Sequence, residues 1–142
     1  MYAFVVKRVP LSYNAKHKHT RYKDEIAAAF HNQGFAGLPL AGSLYSRVYY
    51  FHSVPSALDA DNMSKPIVDA LKNHAYADDN VVIHRTAAIM DMRKTTINEL
   101  SLSHVPENVL LSFLEALDNE CHVLYIEVGQ YGHEMLHFGG VH

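Results

Sequence analysis

The sequence predicts an α/β or α+β domain in which a mixed β-sheet is flanked by helices. Runs of β-branched and aromatic residues alternate with amphipathic helical patterns in the order β-α-β-α-β-α-β, which favours helices packed on a sheet. The chain has 142 residues, a length that suits one domain, and it shows no internal repeat. We therefore expect a single domain over residues 1–142, with residues 130–142 as a tail.

The first predicted strand and helix occupy the N-terminal quarter. Residues 3–9 are β-branched and apolar, which predicts a strand. Residues 10–20 are rich in basic and turn-forming residues and are expected to form a loop. Residues 21–34 have a helical pattern that Gly34 ends. The apolar face of this helix is predicted to comprise Ile26, Ala29 and Phe30.

The middle of the chain predicts a second strand and a second helix. Residues 44–54 are rich in aromatic and β-branched side chains and predict a strand. Proline has no N–H and suits the first turn of a helix, so Pro66 places the helix start near Asn62–Ser64. This helix is predicted to cover residues 62–73.

The last third predicts two strands and the helix between them. Residues 78–92 begin with the pattern of a third strand, and residues 121–129 have the pattern of the final strand. Residues 105–118 predict a helix that begins at Pro106 or Glu107. Its apolar stripe is predicted to comprise Leu110, Leu111, Leu114 and Leu117.

Charge is distributed unevenly along the chain, although the net value is only −3. Residues 1–23 carry six basic residues and no acid, a net charge of +6, whereas residues 24–142 carry the other six and all 15 acids, a net charge of −9. A basic arm on an acidic body is typical of a segment that faces phosphate. The alternative is an ordinary solvated loop that contains several lysines.

We expect a cytoplasmic protein, because the sequence shows no signal-peptide core and no membrane-spanning run. Cys121 is the single cysteine, so an internal disulfide is excluded. No run approaches the ~18 apolar residues of a membrane span. The apolar run at residues 2–6 is too short for a signal-peptide core, so we expect no targeting segment and no membrane association.

Two pairs of carboxylates flank the predicted second helix. Asp59 and Asp61 precede it and point to one side if the backbone there is extended. Asp78 and Asp79 lie at the start of the third strand. If that strand pairs near the second, the helix returns the chain and brings three or four carboxylates together. Lys65 lies between the two pairs, in the predicted second helix.

A carboxylate cluster of this kind stays ionised when cations occupy it. Mg²⁺ takes oxygen ligands and binds substrate phosphates, and two such ions ~4 Å apart stabilise both the attacking and the leaving oxygen of a phosphodiester. Lys65 would then place a positive charge on the scissile phosphate. Each residue also has a simpler interpretation. Asp61 is a candidate helix cap, Lys65 and Asp69 form a surface pair, and residues 78–80 form a polar turn.

The same residues resemble a known family. The stretches D-A-D-N-M-S-K-P-I-V-D-A-L (59–71) and A-Y-A-D-D-N-V-V (75–82) are similar to the signature of RusA-like Holliday junction resolvases, D-x-D-N-x-x-K-x-x-x-D-A-L followed by D-D-x-x-V. The resemblance covers residues 3 to about 85. Its N-terminal part is a short strand, a loop with Pro10 and Asn14, and the basic residues before residue 29.

This resemblance implies a homodimeric endonuclease, dependent on Mg²⁺ or Mn²⁺, that makes paired nicks in four-way DNA junctions. By position, the catalytic residues would be Asp59, Asp61, Lys65 and Asp79, and Asp78 would join the three aspartates at the metal. A dimer suits the near two-fold symmetry of a junction. The residues expected to contact the DNA backbone are Lys7, Arg8, Asn14, Lys16, Lys18, Arg21 and Lys23.

The C-terminal part departs from the family pattern. Residues 93–120 are interpreted as an insertion that adds a helix before the last strand, and the histidine-containing tail has no counterpart in the signature. Two other functions therefore stay open: a nuclease with the same metal site that cuts other branched or flapped DNA, and a DNA-binding or interaction module without turnover.

The tail also contains His133-Glu134-Met135-Leu136-His137, an H-E-x-x-H motif. A zinc protease needs these histidines one turn apart on a helix, with glutamate as the base. Glycines at positions 129, 132, 139 and 140 surround the motif and leave room for about one and a half helical turns. We therefore expect no zinc-protease substrate.

Overall fold

The computed structural model describes residues 1–13 and 19–140. Within them, the strands are β1 (Tyr2–Val6), β2 (Leu44–His52), β3 (Val82–Asp91) and β4 (His122–Gln130), and the α-helices are α1 (His19–His31), α2 (Ala60–Ala70) and α3 (Glu107–Asn119). One sheet has the order β1-β4-β2-β3. β2 and β3 are parallel, and β4 is antiparallel to both β1 and β2. The predicted mixed sheet and α+β class are confirmed.

Alternation along the strands gives the sheet two apolar faces, because successive strand residues point to opposite sides. On β2, Val48 and Tyr50 pack into the core formed with α1 and α2. Their neighbour Phe51 packs on the other face against Phe113 of α3, with ring centroids 5.2 Å apart. Each face is therefore covered by helices.

The ends of the first strand and helix differ from the prediction. β1 ends at Val6 rather than at the predicted residue 9. The Arg8 guanidinium pairs with Glu25 and lies over the ring of Tyr22, both in α1. α1 begins at residue 19 rather than 21. Gly34 follows α1 with φ +67°, a conformation that favours glycine, so its predicted role as the stop is confirmed.

α2 begins at Ala60, earlier than the predicted 62–64. Asp59 is the N-cap, and its carboxylate accepts a hydrogen bond from the backbone N–H of Asp61 at 2.9 Å. Pro66 therefore lies inside the helix, where it is buried. The prediction that Pro66 marks the first turn is wrong, because a strong cap further upstream sets the start.

The interior proline changes one backbone hydrogen bond. Pro66 has no N–H to donate to the carbonyl of Asn62, four residues earlier. The backbone N–H of Tyr13 donates to that carbonyl oxygen instead, at 2.8 Å. The segment after β1 is thereby attached to α2.

α3 buries a different face from the predicted leucine stripe. Its buried residues are Val109, Phe113 and Ala116, whereas Leu111 is 66% exposed. Phe113 contacts the rings of both Phe51 and Tyr125 on the sheet. Packing of this large ring sets the rotation of the helix. The predicted stripe is therefore wrong for Leu111, whereas Leu117 packs partly buried against the same core.

The bounds of the third and fourth strands also differ slightly from those predicted. β3 begins at Val82, after a 3₁₀ turn at Asp79–Val81, and β4 covers His122–Gln130. In the described part of the chain, none of the helices combines the length and the apolar character that crossing a membrane requires.

Candidate active site

The first pair of predicted catalytic acids lies at the N-terminus of α2. Asp59 caps the helix and Asp61 is in its first turn, and both residues are exposed. The partial positive charge of a helix N-terminus stabilises carboxylates there. The cap bond joins the Asp59 carboxylate to the Asp61 N–H. Asp61 lies in the helix rather than in extended backbone before it, so the predicted extended arrangement of the two residues is wrong.

Lys65 lies on the solvent-facing side of α2. Residues 61, 65 and 69 recur every four positions and therefore share one face of the helix. The Lys65 ammonium lies 3.4 Å from the Asp69 carboxylate and 5.4 Å from the centroid of the Tyr13 ring. Its side chain is 43% exposed, so the ammonium remains accessible to a ligand.

The second pair of acids lies in the turn before β3. Asp78 caps the 3₁₀ turn by accepting from the Asn80 N–H at 3.2 Å. The guanidinium of Arg85 donates to the backbone carbonyl of Asp79 at 2.9 Å and to that of Val82 at 3.2 Å. These bonds fix the backbone that presents the Asp79 carboxylate.

Tyr76 relates the second pair of acids to α2. Its buried hydroxyl donates to the carbonyl of Val68 in the helix. Burial raises the pKa of Tyr76. Arg85 lowers this pKa, whereas Asp79 and Asp69 raise it further. The chain segment just before Asp78 and Asp79 is thus hydrogen-bonded to the C-terminal half of α2.

The strands β2 and β3 are parallel, and α2 lies in the connection between them. The helix that joins two parallel strands crosses from the end of one to the start of the other. Within residues 1–13 and 19–140, no group of three or more histidine, cysteine or acidic side chains is arranged to hold a metal ion. The structure thus brings Asp59 and Asp61 together, and the three-aspartate ligand set stays a prediction.

The predicted DNA-contacting residues fall into three groups. Asn14, Lys16 and Lys18 lie outside the described residues. Arg8 and Arg21 both pair with Glu25, Arg21 at 3.4 Å, which reduces the positive charge available to a ligand. Lys7 is exposed and Lys23 is half-buried.

Two residues near the acids were not identified from the sequence. Tyr13 contacts Lys65 and α2 through a backbone bond and a ring contact, and neither has a sequence signature. Arg85 is six residues after Asp79, and only its position early in β3 hints that it could bond back to the preceding turn.

A second polar cluster lies on the opposite face of the sheet and was also missed. Glu127 of β4 is 3% exposed. Its carboxylate accepts from the hydroxyls of Tyr45 at 2.5 Å and Tyr125 at 2.6 Å, and from Arg47 at 3.2 Å. A cavity of about 310 Å³ adjoins this cluster, between the sheet and α3. Its partners satisfy the buried charge, as stability requires.

The H-E-x-x-H stretch of the tail is not helical. His133–Met135 forms a single 3₁₀ turn, and Leu136 has extended backbone angles of φ −86° and ψ 115°. The two histidines are therefore not presented one turn apart on a helix, the arrangement that the zinc chemistry needs.

Comparison with known proteins identifies the family. The model of the family Endodeoxyribonuclease RusA matches residues 7–98, more than half of the chain. The matched region contains the α2 acids, Lys65 and the turn before β3, whereas α3 and β4 lie beyond it. No curated protein matches the chain. The matched family is a class of DNA endonucleases, and the chain belongs to the RusA endodeoxyribonuclease family.

Membership in this family supports nuclease activity and branched DNA as the substrate. The match includes the basic N-terminal arm from Lys7 onward and both pairs of acids. The two features that the sequence singled out for DNA contact and for chemistry therefore fall within one family domain.

Proposed function

We propose that this protein is a Mg²⁺- or Mn²⁺-dependent endonuclease that makes paired nicks in four-way DNA junctions as a homodimer. The observation that carries the proposal is the exposed face of α2, where Asp59, Asp61 and Lys65 stand within a RusA family match. Oxygen donors and a cation on one accessible surface are suited to a phosphodiester and its metal ions.

Asp59 and Asp61 would hold the metal, and Asp79 and Asp78 would complete the ligand set. The donor chemistry fits, since exposed carboxylate oxygens are the ligands that Mg²⁺ prefers. The Asp59 oxygen that caps the helix leaves its second oxygen for a cation. When bound, the metal would supply an activated water and stabilise the leaving oxygen.

Lys65 would bind the scissile phosphate. Lys65 follows Asp61 by one helical turn, so the two side chains share one face of α2. The contact with Asp69 orients the side chain along the helix face. A positive charge placed where negative charge develops in the transition state lowers the barrier.

A homodimer would place two such sites on one junction. A four-way junction has near two-fold symmetry, so two related sites can cut opposed strands. The positive charge of the N-terminal arm would bind the DNA backbone, with a strong dependence on salt.

The test is cleavage of labelled DNA of three shapes, namely a four-way junction, a flap and a plain duplex, with Mg²⁺, with Mn²⁺ and with chelator. We expect paired, metal-dependent nicks in the junction and little cutting of duplex. Cutting of flaps alone would favour the alternative nuclease. Binding without cutting at either metal would favour a non-catalytic DNA-binding module.

A further inference from the structure

The Tyr13 ring lies next to the Lys65 ammonium. Its ring centroid lies 5.4 Å from the Lys65 ammonium, and 49% of the residue is exposed. His19 of α1 contacts the ring edge-on, at 6.5 Å between centroids. The ring is therefore half-open to solvent and lies between two nitrogen-bearing side chains.

Backbone hydrogen bonds, rather than burial of the ring, hold Tyr13 against α2. The Tyr13 N–H donates to the Asn62 carbonyl, which is available because Pro66 cannot donate to it. The neighbouring carbonyl of Ser12 contacts the His19 ring nitrogen at 3.1 Å. Position 13 is therefore fixed relative to α2 whether or not its side chain is aromatic, so the ring is not needed to make this attachment.

We propose that the Tyr13 ring stacks on an unpaired nucleobase of bound DNA, next to the phosphate that Lys65 contacts. The inference rests on the proposed function and deepens it by naming a residue that recognises the branch. Aromatic rings stack on bases of any sequence, because every base has a π face, and a cation beside the ring meets the phosphate of the same strand.

The chemistry of the site favours a branched substrate over a continuous duplex. Bases inside a duplex are stacked on their neighbours and offer no free face. Bases at a branch point can unstack at lower cost, so a ring beside Lys65 would select such a base. Tyr13 would thus act on substrate choice, whereas Asp59 and Asp61 act on the cleavage chemistry.

The experiment uses junctions that carry the fluorescent base 2-aminopurine at successive positions around the branch point, with Ca²⁺ in place of Mg²⁺ to prevent cutting. The variants are Tyr13→Phe, which keeps the ring, and Tyr13→Leu, which removes it. Phe138→Leu is the matched control, since Phe138 is 82% exposed and lies outside the family match. Melting temperatures check that each variant is folded.

We expect quenching at one or two positions with the wild type, Tyr13→Phe and Phe138→Leu, and loss of that quenching with Tyr13→Leu. Tyr13→Leu should also weaken junction binding roughly 5- to 150-fold. An abasic site at the quenched position should weaken wild-type binding but not that of Tyr13→Leu. Quenching that persists in Tyr13→Leu overturns this inference alone. A wild type that binds no branched DNA overturns the proposed function and this inference with it.

Discussion

The backbone N–H of Tyr13 donates to the carbonyl oxygen of Asn62 at 2.8 Å. Within a regular helix that carbonyl would accept from residue 66, which is proline and has no N–H. The irregularity in α2 therefore provides the acceptor that attaches the segment after β1. This attachment places Tyr13, which belongs to the basic arm of residues 1–23, beside Lys65.

Pro66→Ala should weaken this attachment. The alanine N–H can donate to the Asn62 carbonyl and compete with Tyr13 for it, as a regular helix requires. We expect the amide hydrogen of Tyr13 to exchange roughly fivefold faster, because a hydrogen bond worth ~1 kcal/mol is lost there. Hydrogen exchange followed by mass spectrometry measures this change.

Pro106→Ala is the control for the substitution itself. Pro106 is the N-cap residue of α3, where its missing N–H frees no carbonyl of that helix. Exchange at Tyr13 should be unchanged in this variant. Equal exchange rates at Tyr13 in wild type and Pro66→Ala would show that proline is not what keeps the carbonyl available.

Local patterns in the sequence were enough to predict the four strands, the three helices and the mixed sheet. The errors arose where a tertiary contact outweighed a local rule. Pro66 marks a helix start in isolation, but the Asp59 cap and the Tyr13 bond stabilise a longer helix around it. The leucines of α3 form a plausible stripe, but Phe113 packs between two sheet rings and rotates the helix.

The local features of the candidate site were predictable from the sequence, and those that depend on tertiary contacts were not. The neighbouring positions of Asp59 and Asp61 follow from their spacing and the cap, which are local. The place of Asp79 depends on how β3 follows the crossover, which spacing alone does not determine. Tyr13 comes to α2 from almost 50 residues earlier in the chain, so no local pattern could have revealed it.

Asp59→Asn should reduce cleavage while leaving the stability of the fold nearly unchanged. Asparagine caps a helix about as well as aspartate, so stability should change by only a few tenths of a kcal/mol. Junction cleavage should fall at least about 100-fold, because a neutral amide is a poorer metal ligand than a carboxylate. Initial cleavage rates and thermal unfolding measure the two effects.

The control is Asp118→Asn, which changes an exposed acid at the end of α3 and should leave both cleavage and stability unchanged. Full cleavage by Asp59→Asn would exclude this carboxylate from the site.

Lys65→Gln should reduce cleavage roughly 100-fold or more while junction binding changes little, because its charge is needed most in the transition state. Stability should fall by no more than ~0.5 kcal/mol, since the pair with Asp69 is partly open to solvent and spaced i,i+4. Single-turnover rates at saturating protein measure the chemical step. Lys72→Gln, an exposed lysine after α2, is the control. An equal effect of both substitutions would indicate a general loss of charge instead.

Phe113→Ala and Leu111→Ala test which face of α3 is buried. Phe113 is 2% exposed, so its truncation should cost about 3–5 kcal/mol. Leu111 is 66% exposed, and its truncation should stay within ~0.5 kcal/mol. Urea unfolding measures both free energies. The reverse order would restore the leucine stripe as the core-facing side.

Alkaline pH should destabilise the protein through its buried tyrosines. Burial raises the pKa of Tyr22, and it raises that of Tyr125 together with the hydrogen bond to Glu127, above the ordinary value of 10.0. A raised folded-state pKa gives stability that is fully present below the unfolded-state value and is lost as the pH rises through the folded-state value. Urea midpoints should therefore be steady near pH 8 and fall above about pH 10, while tyrosinate absorbance lags behind that of free tyrosine.

Tyr22→Phe removes one such group and should make the fall shallower. Midpoints that hold steady up to about pH 11 would show that these hydroxyls ionise without loss of the fold.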